Sequence, residues 1–168
     1  MVGKTVKERT IIMSQVMQIH DANLAGNVHG GVIMYMIDNT AGVAAVRHAR
    51  SNVVTASIDR LVFHHPVYVG DLVTLKASIN MVGRTSMEVG VRVESENIVT
   101  GEIRHTASAY LTMVALNEKG HPFEVQPLIP ETDEEIRRNR EARSRREMRL
   151  RERKKEEECQ KNAESCNI

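Results

Sequence analysis

Residues 20–48 read HDANLAGNVHGG (20–31) followed by VIMYMIDNTAGVAAVRH (32–48). Gly, Asn and Asp dominate the first stretch, which predicts a loop. In the second, Ile33, Met36, Ile37, Ala41 and Ala44 fall on one helical stripe, so a buried helix follows the loop. Gly42 inside that helix costs about 1 kcal/mol relative to Ala, and close packing is the expected reason for it. Downstream the period changes to two. Residues 53–63, 71–82, 86–99 and 102–116 alternate apolar and polar positions, with HHPVYVG, GRT and TG between them. These segments predict long antiparallel strands joined by short turns. Upstream, residues 4–19 alternate loosely and predict a further strand. Strand, helix, then four strands predicts an α+β fold, an antiparallel sheet with one long central helix on its face.

Charge divides the 168 residues in two. Residues 1–130 carry 11 basic and 11 acidic side chains, whereas residues 131–168 carry 12 and 11. The first stretch is long enough for one hydrophobic core. The second has too few apolar residues to form its own. Within the tail, Thr132 followed by Glu135 has the spacing of a capping box, and the Glu–Arg neighbours at i,i+3 and i,i+4 predict a long charged helix. Such a helix is expected to be solvated or frayed, with a contact arm for another subunit or a phosphorylated ligand as the alternative.

Several classes of protein are excluded. No apolar run approaches the roughly 18 residues of a membrane span. The apolar stretch Ile11–Met17 is interrupted by Ser14 and Gln15 and has no small-residue cleavage site after it, so no signal peptide is expected. Both cysteines, Cys159 and Cys166, lie in the tail, and a reducing cytoplasm is the simplest setting. With no Trp, two Phe, three Tyr and a net charge of +1, the chain offers neither stacking platforms nor a field for nucleic acid. His64 and His65 have no second ligand pair at usable spacing, so no metal site is expected.

The chemistry sits in residues 21–38. Gly30 and Gly31 open the helix, where exposed backbone N–H groups can bind an anion or a developing oxyanion. Two turns on, Asp38 interrupts an apolar helix, a costly place for a carboxylate unless it is paired or used. Asn23 in the loop supplies both a donor and an acceptor. These parts suit attack on an activated acyl carbon, with Asp38 as general base or nucleophile, Asn23 orienting water or holding the carbonyl, and the Gly30–Gly31 amides as the oxyanion site. A thioester is a suitable substrate because a thiolate, from a thiol of pKa about 8.5, leaves without strong acid assistance. There is no Gly-x-Ser-x-Gly elbow. The same residues also fit a tight turn with Asp38 bonded to a neighbouring loop.

The pattern Asn23-x-x-x-Asn27-x-x-Gly30-Gly31, with Asp38 fifteen residues after Asn23, resembles the acyl-CoA thioesterases of the hotdog fold, both bacterial and brain-type cytosolic. The blocks SIDRLVFHHPVYVGDLVTLKA (57–77) and VGRTSMEVGVRVE (82–94) are similar to later parts of that family, and the resemblance covers roughly residues 5–118. It implies a cytoplasmic thioesterase domain over 1–130 that hydrolyses acyl-CoA to acid and CoA without a cofactor, CoA being part of the substrate. It implies homodimers with active sites at the interface, assembling further as trimers of dimers. It implies Asp38 as the catalytic carboxylate, Asn23 as its partner, acting from the opposite chain, and the Gly31 amide as the group that polarises the thioester carbonyl. Arg84, Thr85 and Ser86 resemble the strand region along the pantetheine and nucleotide path. Asn27 and Gly30 are further candidate substrate contacts. His29 is expected to stabilise its loop, with substrate contact as the alternative, and Arg60 and His64 are expected to form a strand end, with reach to a CoA phosphate as the alternative. Two alternatives stay open: a hotdog dehydratase using His29 with Asp38, and a non-catalytic acyl-CoA sensor.

Overall fold

In the computed structural model, residues 3–6 and 10–161 are described. The chain runs β1 (Lys4–Thr5), β2 (Ile11–Val16), a short 3-10 turn (Ile19–Asp21), α1 (Gly30–Ala49), β3 (Asn52–Phe63), β4 (Leu72–Val82), β5 (Ser86–Asn97), β6 (Glu102–Leu116), β7 (Leu128–Ile129) and α2 (Asp133–Lys161). Five strands form an antiparallel sheet in the order β2-β4-β5-β6-β3. The strand expected over 4–19 is in fact two: β1 pairs in parallel with β7 in a separate ribbon, and β2 joins the main sheet as an edge. Residues 7–9 of that segment lie outside the described residues. β5 stops at Asn97, short of the expected 99, because the Asn97 side chain accepts from the amides of Val99 and Thr100 and starts the turn.

The sheet curls around α1. The odd-numbered residues of β4, β5 and β6 point to the helix: Val73, Leu75, Ala77 and Ile79, then Met87, Val89, Val91 and Val93, then Ala107, Ala109, Leu111, Met113 and Ala115 are all buried. The helix answers with Ile33, Met36, Ile37, Ala41 and Ala44, all buried as the periodicity predicts. Alanines on both surfaces let the helix axis come close to the sheet, so the core closes without an aromatic ring among its buried residues. Gly42 is not explained by packing: a Cβ there would meet nothing within 4 Å. It faces outward from the chain, and the expectation of close packing is corrected on that ground.

The first half of α2 packs on the other face of the sheet through a few side chains, while residues 150–158 are exposed, so the helix expected to be solvated is docked over part of its length. Thr132 and Glu135 form the reciprocal capping box, with Glu135 N donating to Thr132 Oγ1 and Thr132 N to Glu135 Oε2, each at 3.2 Å. The helix then docks through Asn139, Ala142, Arg145 and Arg149. Asn139 Nδ2 donates to the Asn80 carbonyl at 2.8 Å, an acceptor freed because the β4–β5 register slips at Asn80. Ala142 is fully buried. Arg145 donates to Glu88 Oε1 at 2.6 Å and lies over the Tyr110 ring at 3.8 Å. Arg149 bridges Glu88 and Asp59. Glu88 is wholly buried and also accepts from Asn80 Nδ2 at 3.3 Å. Burial pushes the Asp59 carboxyl above its ordinary value, against the pull of Arg149. Composition favoured solvent for this helix because long arginine stems cover apolar surface while their heads find carboxylates, and neither shows as apolar content.

Candidate active site

The expected site residues fall into separate places within one chain. The first is the N-terminal end of α1. The loop before it is a tight polar knot. Asn23 Oδ1 accepts from the amides of Ala25 at 2.9 Å and Asn27 at 3.3 Å, and the Asn23 N–H donates to the Asn27 carbonyl at 2.7 Å. Gly26 sits at φ +82, the left-handed conformation this turn requires. His29 is the N-cap of α1, and its Nδ1 accepts from the Gly31 amide at 2.9 Å, which leaves the ring proton on Nε2. The Gly31 amide is therefore held by the cap, and the neighbouring Gly30 amide has no hydrogen-bond partner among the described residues. Asn23, Asn27 and Gly30 line a pocket of about 310 Å³ with Phe63, His64 and His65. The Asn23 side-chain N–H₂ has no partner among the described residues. Behind the pocket, the His64 and His105 rings lie 5.2 Å apart, and burial, reinforced by the Arg92 guanidinium, lowers His105 below its ordinary value.

The second place is mid-helix. Asp38 lies eight residues beyond Gly30, roughly 12 Å along the axis, and does not line that pocket. It is half-buried, and Thr55 of β3 donates to its Oδ1 at 2.6 Å. Thr55 also touches Met113 Sδ at 3.3 Å, which fixes its rotamer against the core. Thr55 is the member of the site that sequence reasoning missed: a Thr in an alternating strand carries no signal until the strand's position beside Asp38 is known. A hydrogen bond to a charged group contributes about 1.5–3 kcal/mol. Replacing Thr55 by Val keeps the shape and removes the donor, and kcat for the site's reaction is expected to fall roughly tenfold with the melting curve unmoved.

The third place is the β4–β5 turn. Gly83 N donates to the Ser86 carbonyl at 2.7 Å, Ala115 N to the Thr85 carbonyl at 3.0 Å and Val125 N to the Arg84 carbonyl at 2.9 Å, which leaves the Arg84 side chain exposed. Arg60 stands apart on β3, exposed. β3 is the longer of the two edge strands of the sheet, at twelve residues, and exposes Val54 and Ile58 beside Tyr35, Val43 and Val46 of α1. An edge of that length with apolar flanks is a pairing surface. No helix among the described residues is long and apolar enough to cross a membrane.

These features have counterparts in known proteins. The sequence profile of the Thioesterase superfamily matches residues 25–102. The chain is 43% identical to protein VdlD of Helicobacter pylori over 147 residues, 88% of this chain and 84% of that protein. It is 39% identical to the uncharacterized acyl-CoA thioester hydrolase YkhA of Bacillus subtilis over 130 residues, 77% and 76% of the two chains. Against the cytosolic acyl coenzyme A thioester hydrolase of Rattus norvegicus it is 38% identical over 81% of its length, but spans only 38% of that longer protein. An apo-hexameric acyl-CoA thioesterase superposes with TM-score 0.88 at 39% identity, covering 90% of this chain and 97% of that one. The acyl-CoA hydrolase of Staphylococcus aureus, solved with butyryl coenzyme A and coenzyme A, superposes with TM-score 0.88 at 30% identity over 98% and 100% of the chains. The chain belongs to the thioesterase superfamily, among the acyl-CoA thioester hydrolases, and its sheet-wrapped helix is their hotdog fold. The Staphylococcus aureus hydrolase has also been solved with an Asn, an Asp and a Thr separately replaced by Ala. Its Asp follows that Asn by fifteen residues and its Thr follows the Asp by seventeen, the spacings of Asn23, Asp38 and Thr55 here.

Proposed function

We propose that the protein hydrolyses acyl-CoA thioesters to free acid and CoA, at sites that each take Asp38 and Thr55 from one chain and Asn23 from another. The observation that carries this is the short Thr55–Asp38 hydrogen bond, which holds a carboxylate in one orientation on the outward side of α1. The spacing shared with the residues replaced in the Staphylococcus aureus hydrolase supports the same triad.

Asp38 acts as base or nucleophile. As base, its carboxylate takes a proton from water as the water oxygen bonds the acyl carbon; the C–S bond then breaks and that proton returns to the thiolate. As nucleophile, the carboxylate attacks first, expels the thiolate, and water opens the resulting anhydride. Hydroxylamine trapping of an acyl-enzyme anhydride in a single turnover separates the two, and label from ¹⁸O-water in Asp38 would further show that water opens the anhydride at Cγ. Polarisation of the carbonyl falls to the amides at the start of α1. Gly31 serves if the substrate oxygen displaces His29 from the cap; Gly30 is already open. CoA enters as substrate and no cofactor is required.

Asp38 is not among the residues that line the pocket of Asn23, and the outer edge of β3 has no partner strand among the described residues. Pairing two chains at that edge supplies the missing half of each site, and hexamers among the structural relatives support further assembly. The same kinship supports a cytoplasmic location, one relative being named cytosolic. The test uses co-expressed Asn23→Ala and Asp38→Ala chains, each inactive alone, with thiol release from an acyl-CoA panel as the readout. Random pairing of equal amounts rebuilds about a quarter of the sites if they are shared between two chains. No recovery in verified mixed oligomers would sink the shared site, and no thiol release by the native protein would sink the activity.

A further inference from the structure

β3 does not run regularly. Thr55 and Ser57 pair with the adjacent Met113 and Thr112 of β6, and Ile58 and Arg60 with the adjacent Leu111 and Tyr110, so Ala56 and Asp59 have no partner there. Each is the extra residue of a β-bulge. Residues opposite one another in a ladder share a face. Thr55, Ile58 and Leu61, opposite the buried Met113, Leu111 and Ala109, therefore lie on the α1 face, three residues apart instead of two. A regular strand continuing from Thr55 would send Ser57 and Asp59 inward and Ile58 outward. The bulges keep a hydroxyl and a carboxylate out of the core and give Leu111 an apolar neighbour.

The outer face holds this segment from above. Ser57, Thr112 and Glu88 form one cross-strand row on β3, β6 and β5. Arg149 of α2 reaches across that row, donating to Glu88 Oε2 at 3.3 Å and to Asp59 Oδ2. Ser57 Oγ donates to Asp59 Oδ1 at 3.3 Å, so Asp59 is held from its own strand and from the helix. The side chains are 21% exposed for Arg149, 11% for Asp59 and 0% for Glu88, which sets this contact apart from the solvent-exposed pairs along α2, whose contribution is small.

Thr55 stands next to the first bulge and donates to Asp38 from there. A bulge displaced by one residue turns each side chain it passes to the other face. Were the first bulge to move from Ala56 to Thr55, Thr55 would leave the α1 face and with it Asp38. We propose that Arg149 is a positioning residue for the thioesterase reaction: its hold on Asp59 from the outer face pins the two bulges of β3 and so keeps Thr55 turned to Asp38. This rests on the acyl-CoA activity proposed above. The charged helix thereby acts on the chemistry through the sheet, without touching substrate.

The test is Arg149→Met, which keeps an apolar stem over the sheet while Asn139, Ala142 and the Arg145–Glu88 pair still seat α2. kcat for an acyl-CoA is expected to fall about fivefold with KM unchanged. In the double variant Thr55→Val, Arg149→Met, the loss should stay near the roughly tenfold of Thr55→Val alone, because the placement that Arg149 secures no longer matters; independent effects would multiply to about fiftyfold. Amides of residues 54–61 should exchange with deuterated water faster in Arg149→Met and those of β4 at the native rate, a readout that needs no catalysis. If faster exchange spread to β4, Asp59→Ala, which leaves Arg149 on Glu88, takes its place with the same expectations. An unchanged kcat, a multiplied loss in the double variant, or native exchange in β3 would overturn the proposal. Native protein that released no thiol from acyl-CoA would count against the activity alone, and the exchange would still decide whether Arg149 pins the bulges.

Discussion

Asp38→Ala is expected to lower kcat/KM for acyl-CoA hydrolysis by about three orders of magnitude, with far-ultraviolet circular dichroism and oligomer size unchanged. Positioned general bases contribute about 10²–10⁴ in rate, and a nucleophile whose loss blocks the covalent route contributes no less. The fold should survive because Asp38 is only half-buried and its one side-chain hydrogen bond among the described residues is from the hydroxyl of exposed Thr55. Removing it leaves a hydroxyl that water can satisfy, not an orphan in the core. Asp38→Asn is the sharper control, since it keeps size and the Thr55 hydrogen bond and removes only the charge. Turnover within tenfold of native for either variant would place the chemistry elsewhere on the protein.

Glu88→Ala is expected to be the most destabilising single change away from the site. Glu88 is wholly buried between β5 and α2 and receives Arg145, Arg149 and Asn80. Deleting one partner of a buried pair costs about 3–5 kcal/mol, because the remaining charge is left without compensation. At roughly 2–4 °C per kcal/mol for a chain of this size, the melting temperature should drop by about 10 °C or more. Replacing Glu88 and Arg145 together by Met should recover part of the loss, since apolar groups of similar volume suit the same space. A melting temperature within 2 °C of native for Glu88→Ala would show that α2 is held by its other contacts.

The two halves of the chain were unequally legible. The sheet and α1 were readable because each makes one demand on its residues: odd positions of β4 to β6 and the Ile33–Ala44 stripe all face a single core. α2 makes two demands at once, solubility on one side and charge pairing with a buried Glu88 on the other, and both draw on arginine and glutamate. Sequence periodicity cannot separate them. Asp38 stood out as a charge in an apolar helix, and Asn23 stood out only with the spacing that joined it to the glycines. Thr55 became visible when the register of β3 brought it to Asp38, a relation between residues seventeen apart that no local pattern encodes. The His29 cap on Gly31 is likewise a product of backbone geometry.

The stacking of Arg145 on Tyr110 has a spectroscopic consequence. The chain has no tryptophan and three tyrosines. Tyr35 and Tyr68 are 67% and 45% exposed, while Tyr110 lies under the guanidinium of α2. The Tyr110 contribution to near-ultraviolet ellipticity is therefore tied to the seating of α2, so the chain carries its own optical gauge of whether the charged helix is docked.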